Sequence, residues 1–397
     1  MESDEVFWYG LWVRLLGRLM RNTLHLIALP HTETTSTYLT CAYTMKVVKF
    51  CRMLHGRGRK IILYAGAHND APCDEHVPLV SEAERLKWFG PWDANDAFSK
   101  VTWAPTDMPW QTMNLRAVEA IRQRADPHDL ILLTAGTAQQ PIAAALPHLL
   151  SCEWGVGYEG IFSKFCAFES YAWMHHVYGK RNIVDGRYYD QVIPNFFDPS
   201  EFSLSEKGDY LLFIGRLTAR KGPHIAAQVA KACGMKLVVA GPGAKSVTRW
   251  PGGGTTIVGD QVRVEGPHVE YVGAVGVKDR AELMAKARAV LVPTLYLEPF
   301  GGVAVEAMLS GTPAVTSDWG AFSETVEGGV TGYRFRTLQQ GVDAVRRTIE
   351  LDPKAIRRRA LKRFSLDAVR PLYERWFDQL DGLWGEGWPA LRQKGAA

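Results

Sequence analysis

Two glutamates eight positions apart bracket a glycine turn in Glu298-Pro-Phe-Gly-Gly-Val-Ala-Val-Glu306, and the string closes with Ala307-Met-Leu-Ser-Gly-Thr-Pro313. Gly301 and Gly302 carry no Cβ, so a ligand can approach the backbone closely at Pro299, Phe300 and the glycines. The amides that follow, from Val303 on, open a short helix, where N–H groups are unpaired donors carrying partial positive charge. A diphosphate is the kind of anion that fits such a helix start. Gly311 stops the helix and Pro313 prevents its resumption, so Glu306 stays near the first turn while Glu298 remains in the loop. The two carboxylates can then face different parts of one ligand. A buried βα loop with a solvated glutamate on an ordinary helix would explain two glutamates alone, but not the whole string.

A second cluster lies upstream, where the strand Tyr210 to Ile214 runs into Gly215-Arg216-Leu-Thr-Ala-Arg-Lys221-Gly-Pro223. Ligands of open parallel sheets bind at the carboxyl ends of strands, which is where this basic loop falls. Arg216 offers forked donors and Lys221 a compact point charge, both suited to a diphosphate. Arg220 reads as solvated. Gly241-Pro-Gly243 gives another tight turn at the same sheet edge, with nucleotide contact and a purely structural turn both open.

The elements that must position these loops follow from hydrophobic patterning. Short β-rich runs alternate with longer helical patterns from Leu24 onward, the signature of βα units and parallel sheets. Strands are predicted at Leu24 to Leu29, Lys60 to Ala65, Asp129 to Thr134 and Leu149 to Cys152. A second set falls at Tyr210 to Ile214, Lys236 to Ala240, Val269 to Val272, Ala289 to Val292 and Ala314 to Thr316. Helices are predicted at Tyr38 to His55, Gln111 to Arg124, Ile161 to Tyr178, Pro223 to Cys233, Lys278 to Ala287, Val303 to Ser310 and Leu338 to Leu351. Turn residues cluster from Pro194 to Ser200 and on to Gly208, which marks a boundary. The chain then divides into an extension (1–22), a first domain (23–200), a second domain (201–364) and a terminal helix and tail (365–397). The length of 397 residues also exceeds what one core usually supports. With 47% hydrophobic and 22% charged residues and a net charge of +4, composition is that of an ordinary globular protein and does not call for nucleic acid or membrane. Six scattered cysteines lack zinc spacing and suit a reducing, cytoplasmic setting. Residues 7–21 mix aromatics and leucines with Arg14 and Arg18; they are too short to span a bilayer, and suit either a peripheral lipid surface or an extra packed helix.

The glutamate string with the upstream Gly-Arg-x₄-Lys-Gly loop resembles the donor site of retaining GT-B glycosyltransferases of family four. The resemblance implies an α/β protein with two Rossmann-like parallel-sheet domains facing a cleft and a last helix crossing back to the first. It implies that Glu298 contacts hydroxyls of the transferred sugar, that Glu306 binds the ribose, and that the backbone from Phe300 to Gly302 holds the diphosphate. Arg216 and Lys221 would stabilise the departing nucleotide diphosphate. Retention without a separate base follows from the same resemblance, with a nucleotide-sugar donor and no cofactor. The chain contains no Asp-x-Asp, so metal independence is expected.

The first domain departs from the family pattern. In place of a glycine-rich loop it has Leu29-Pro-His31-Thr32-Glu33-Thr-Thr35, and in place of a cleft histidine Ser151-Cys-Glu153-Trp154-Gly. His31, Thr32, Glu33 and Trp154 are candidates for the acceptor side and Glu153 for catalysis. His31 reads equally as a turn-capping histidine, and His175-His176 as packing. Tryptophans 88, 92, 103, 110, 154 and 173 suit sugar rings or simply a core. The acceptor could be a glycan, a lipid, a small molecule or a modified nucleic acid. Arg357-Arg-Arg359 with Lys362 and Arg363 reads first as a charged helix face. A nucleotide-sugar epimerase or hydrolase, or a silent binding protein, would need the same diphosphate grip.

Overall fold

The computed structural model describes residues 22–38, 41–93 and 101–383. The extension at 7–21 and the tail from Trp384 lie outside the described residues. Seven parallel strands form the first sheet: β1 (Leu24–Ile27), β2 (Ile61–Gly66), β3 (Glu75–Val80), β4 (Leu130–Leu133), β5 (Leu150–Val156), β6 (Cys166–Phe168) and β7 (Gln191–Val192). Their order is β3-β2-β1-β4-β5-β6-β7, with Leu24 paired to both Ile61 and Leu130. β1, β2 and β4 are buried along their whole length, as strands covered by helices on both faces must be, and are apolar apart from His25 in β1.

In the second sheet β8 (Tyr210–Ile214) and β9 (Lys236–Ala240) are followed by an antiparallel meander of β10 (Ser246–Arg249), β11 (Thr255–Gly259) and β12 (Val262–Gly266). β13 (Val269–Gly273), β14 (Ala289–Val292), β15 (Ala314–Ser317) and β16 (Gly332–Phe335) complete the parallel order β13-β9-β8-β14-β15-β16. The chain leaves β8 toward β9 on one side and returns to β14 on the other. The loops after β8 and β14 therefore start side by side at the switch in strand order, the position where open α/β sheets bind ligands.

Among the described residues the predicted helix from Ile161 to Tyr178 is wrong. The segment holds an irregular stretch, then β6, and only then the helix Tyr171–Lys180, whose N-cap Ser170 accepts from Trp173 N at 3.0 Å. Three apolar residues in a strand do not interrupt a 3.6-residue pattern visibly, so the period misled. β3, the β10–β12 meander and β16 were not anticipated either.

Two crossings join the domains. Phe197 N donates to Phe364 O at 2.9 Å and Leu366 N to Phe197 O at 3.0 Å, so outgoing and returning chain run together. Helix Leu366–Asp381 then buries Val369, Tyr373, Trp376, Phe377 and Leu380 in the first domain's core with Phe50, Trp154 and Phe196. Trp376 Nε1 donates to Tyr189 O at 2.7 Å, and Arg59 pairs with Asp378 and Asp381 at 2.8 and 3.1 Å. None of the described helices is long and apolar enough to cross a membrane. Trp376→Ala should lower the unfolding free energy by about 3–5 kcal/mol, and hydrogen exchange should place the loss in β1, β4 and β5 rather than in the second sheet.

Candidate functional site

The basic loop after β8 is held by its own backbone. Leu217 N donates to Pro242 O at 3.0 Å, and Ala219 N to Asp260 O at 3.0 Å, which ties the loop to the β11–β12 turn. Gly241 has φ 133°, and a Cβ there would collide with the carbonyl oxygen of Gly215. Gly241 is thus required for two loops to meet backbone to backbone. The loop meets the one after β14 through Leu295 N, which donates to Arg220 O at 2.8 Å.

The glutamate loop turns at Gly301, where a φ of 81° and the ring of Phe322, which fills the place a Cβ would take, exclude any side chain. Helix Gly302–Leu309 follows, and Glu306 lies in its second turn. Lys221 Nζ stands 3.2 and 3.3 Å from the two oxygens of Glu298 and also donates to the Tyr296 hydroxyl. Burial, then the Glu298 carboxylate, push the Tyr296 phenol well above its ordinary value, so it stays protonated, while the nearby charges of Arg220 and Arg216 oppose the shift. Arg220 stacks 4.1 Å over the Tyr296 ring. Arg220 is nonetheless exposed, in keeping with its reading as a solvated residue. Lys221, Glu298 and Tyr296 form one hydrogen-bonded group, with Arg216 close enough to act on it electrostatically.

Glu306 pairs with Arg280 at 3.3 Å, Arg280 with Glu201 at 3.7 Å, and Glu201 with Arg52 at 3.6 Å. The chain of alternating charges leads from the Glu306 helix to helix Ala42–Leu54 of the first domain. Lys49 on that helix lies 4.3 Å over the Phe197 ring. Burial lowers its pKa to about 8, against the opposing pull of Glu306 and Glu201. Neither Tyr296, Arg280 nor Lys49 was singled out in the sequence. Tyr296 sits inside Leu-Tyr-Leu, which reads as a strand end, and the other two come together only through the tertiary fold.

The first-domain candidates lie elsewhere. Glu153 is wholly buried and accepts from Phe162 N and Ser163 N, both at 2.7 Å, and from Tyr158 Oη at 3.0 Å. Burial raises its pKa against those bonds. Trp154 is equally buried and packs 4.1 Å from Phe50. β5 runs on to Val156, so both residues sit inside a strand instead of ending one, and a cleft role for either is set aside. His31 is 5% exposed, lies against Phe89 and Trp103, and is held neutral by burial, its pKa near 4. Thr32 shares a 2.6 Å hydrogen bond with Thr44. Glu33 approaches Arg85 and His68 at 3.7 and 3.8 Å. With Glu82 and His68 it makes a group of potential cation ligands on an exposed surface, but the neighbouring guanidinium already supplies a positive charge. Of the basic helix Pro353–Phe364, Arg357 donates to Phe202 O at 3.0 Å and to Leu309 O, while Arg359 and Arg363 each reach Glu327 at 2.9 Å. His176 pairs with Glu159 at 2.9 Å, an acidic partner the sequence did not reveal.

Because Lys49 releases its proton near pH 8 in the folded chain, below its ordinary 10.5, the unfolded chain holds more protons in that window. This lysine's contribution to stability is unfavourable below pH 8 and improves as pH rises toward 10.5. Lys49→Met should raise the melting temperature by a few degrees at pH 7 and lose that advantage near pH 10, as read by thermal denaturation at both values.

Residues 208–350 match the family described as Glycosyl transferases group 1. Glycogen synthase of Mycobacterium tuberculosis is 36% identical over 159 residues, which cover 38% of this chain and 36% of that protein. D-inositol 3-phosphate glycosyltransferase of Mycobacterium avium is 33% identical over 136 residues, covering 34% and 30%. The match spans about a third of the length of these curated relatives. Among solved structures, AviGT4, a glycosyltransferase involved in avilamycin A biosynthesis, superposes with a TM-score of 0.61 at 21% identity over 91% of this chain and 98% of its own. Anabaena Alr3699/HepE in complex with UDP and glucose superposes with a TM-score of 0.61 at 15% identity, covering 90% of this chain and all of its own. Both likenesses establish the fold.

Proposed function

From a chain whose residues 208–350 match the group 1 glycosyl transferases and which has the GT-B fold, we propose an enzyme that transfers a sugar from a nucleotide diphosphate sugar to an acceptor. The observation that carries this reading is the hydrogen-bonded group of Lys221, Glu298 and Tyr296, built where the loops after β8 and β14 meet. Breaking a sugar–phosphate bond develops negative charge on the leaving oxygen and positive charge on the sugar, and both must be stabilised. Arg216, Lys221 and the amides at the start of helix Gly302–Leu309 answer the first need. On this reading Glu298 accepts from the sugar hydroxyls and Glu306 from the ribose.

Each glutamate is paired with a basic side chain, Glu298 with Lys221 and Glu306 with Arg280. Donor binding on this reading is an exchange of partners. Lys221 turns to the phosphate, and the carboxylates accept from sugar and ribose hydroxyls. The complexes of Alr3699/HepE with UDP and with UDP-glucose make a uridine diphosphate sugar the first donor to test. Retention with the leaving phosphate assisting deprotonation of the acceptor, and catalysis without metal, are part of the same proposal. A cytoplasmic location accords with six free cysteines. A hydrolase or epimerase using Glu153 as its acid or base is disfavoured by the burial of that carboxyl. A nucleic-acid acceptor loses the support of the basic helix, whose arginines 357, 359 and 363 are engaged within the chain.

Calorimetric titration with UDP and steady-state turnover of UDP-glucose separate the roles. Lys221→Ala should weaken UDP binding at least about tenfold, the loss of one charge-assisted contact. Glu298→Gln should reduce turnover about a hundredfold with UDP affinity unchanged within about twofold. Unchanged UDP affinity in the first variant, or equal losses in the second, would contradict the assigned roles.

A further inference from the structure

Two contacts from the first domain reach the loop that carries Glu298 and the segment packed beside it. Ser170, just past the end of β6, donates its hydroxyl proton to Pro299 O at 2.6 Å, the carbonyl immediately after Glu298. The hydroxyl oxygen of Ser170 also caps helix Tyr171–Lys180 by accepting from Trp173 N. The first two amides of that helix, Tyr171 N and Ala172 N, donate at 2.9 and 2.7 Å to the carboxylate of Glu324, a residue of the second domain. A carboxylate at a helix N-terminus is favoured both by these hydrogen bonds and by the helix dipole.

Both ends of this connection are fixed. On the first-domain side, Glu169 is buried and paired with Lys46, which also donates to Gly155 O at 2.6 Å. A Cβ on Gly157 would fall 2.9 Å from the Glu169 carboxylate, so the base beneath Ser170 has no slack. On the second-domain side, Ala321 N donates to Glu298 O at 3.0 Å, and a Cβ on Gly320 would lie 2.7 Å from Glu298 N. Phe322 occupies the space beside Gly301. The segment bearing Glu324 is therefore the same segment that supports the donor loop.

We propose that Ser170 and Glu324 form a two-point latch between the domains that sets the position of Glu298 relative to the first domain. They are positioning residues for transfer, a role that rests on the glycosyltransferase reading and on an acceptor held by the first domain. Two attachments spaced along one helix start remove a rotation that a single contact would allow. Displacing a reacting group by about an ångström is enough to lower a rate by about a hundredfold.

Small-angle scattering of the full chain tests the latch without any substrate. Glu324→Ala and the Ser170→Ala/Glu324→Ala double variant should show a larger radius of gyration than the wild type, and Glu324→Gln, which keeps an acceptor oxygen, should recover most of the compactness. With UDP-glucose, Glu324→Ala should lower kcat about ten- to a hundredfold while UDP affinity by calorimetry stays within about twofold, because neither residue is placed on the diphosphate. Unchanged scattering and kcat, or a loss of UDP affinity equal to the loss of kcat, would overturn the latch. If the wild type neither transfers nor hydrolyses any nucleotide sugar, it is the glycosyltransferase reading that fails, and the scattering comparison still decides the latch.

Discussion

The hydrogen-bonded adjacency of β8 and β14 is the constraint on which the site depends. Leu211 lies opposite Ala289 and Leu212 opposite Val290, so two loops far apart in sequence leave the sheet as neighbours. Their short connection, Leu295 N to Arg220 O, then fixes how a basic segment faces an acidic one. Lys221 reaches Glu298 because of this register, and a different strand order would separate them by the width of at least one strand. The glycines serve the same approach: Gly241 admits the carbonyl of Gly215, and Gly301 admits the ring of Phe322.

Electrostatically the cleft is a set of mutual neutralisations. Lys221 balances Glu298, Arg280 balances Glu306 and Glu201, and Tyr296 remains a neutral donor because burial and the adjacent carboxylate keep its proton on. Lys49 enters from the other domain as a cation whose burial outweighs the acidic residues around it. On the proposed reading, a diphosphate would bring negative charge into a place where cations are already assembled at close range. Domain organisation supports the same end. The returning helix Leu366–Asp381 locks its aromatic face into the first core, and the chain crosses between the two halves where Phe197 and Ser365 pair.

What the sequence disclosed was whatever lies within one contiguous string. The Gly-Arg-x₄-Lys-Gly loop and the Glu-Pro-Phe-Gly string carry their chemistry and their turn residues together, so Arg216, Lys221, Glu298 and Glu306 could be named with their placement at a strand's carboxyl end. The alternation of strands and helices likewise disclosed two parallel sheets. Hidden were pairings that only folding creates, such as Arg280 with Glu306, Ser170 with the Pro299 carbonyl, and the stacking of Arg220 on Tyr296. Glu153 and Trp154 misled because a strand buried on both faces looks, near its end, like a strand meeting a cleft. β6 hides inside a helical period, and the β10–β12 meander lies just after the glycine turn at Gly241.

The most direct test of the central claim is hydrogen–deuterium exchange of the full chain with and without UDP. If one diphosphate is gripped by both loops, amides at 215–222 and at 299–305 gain protection together and over the same range of UDP concentration. Protection confined to one of the two segments, or appearing away from both, would contradict the account.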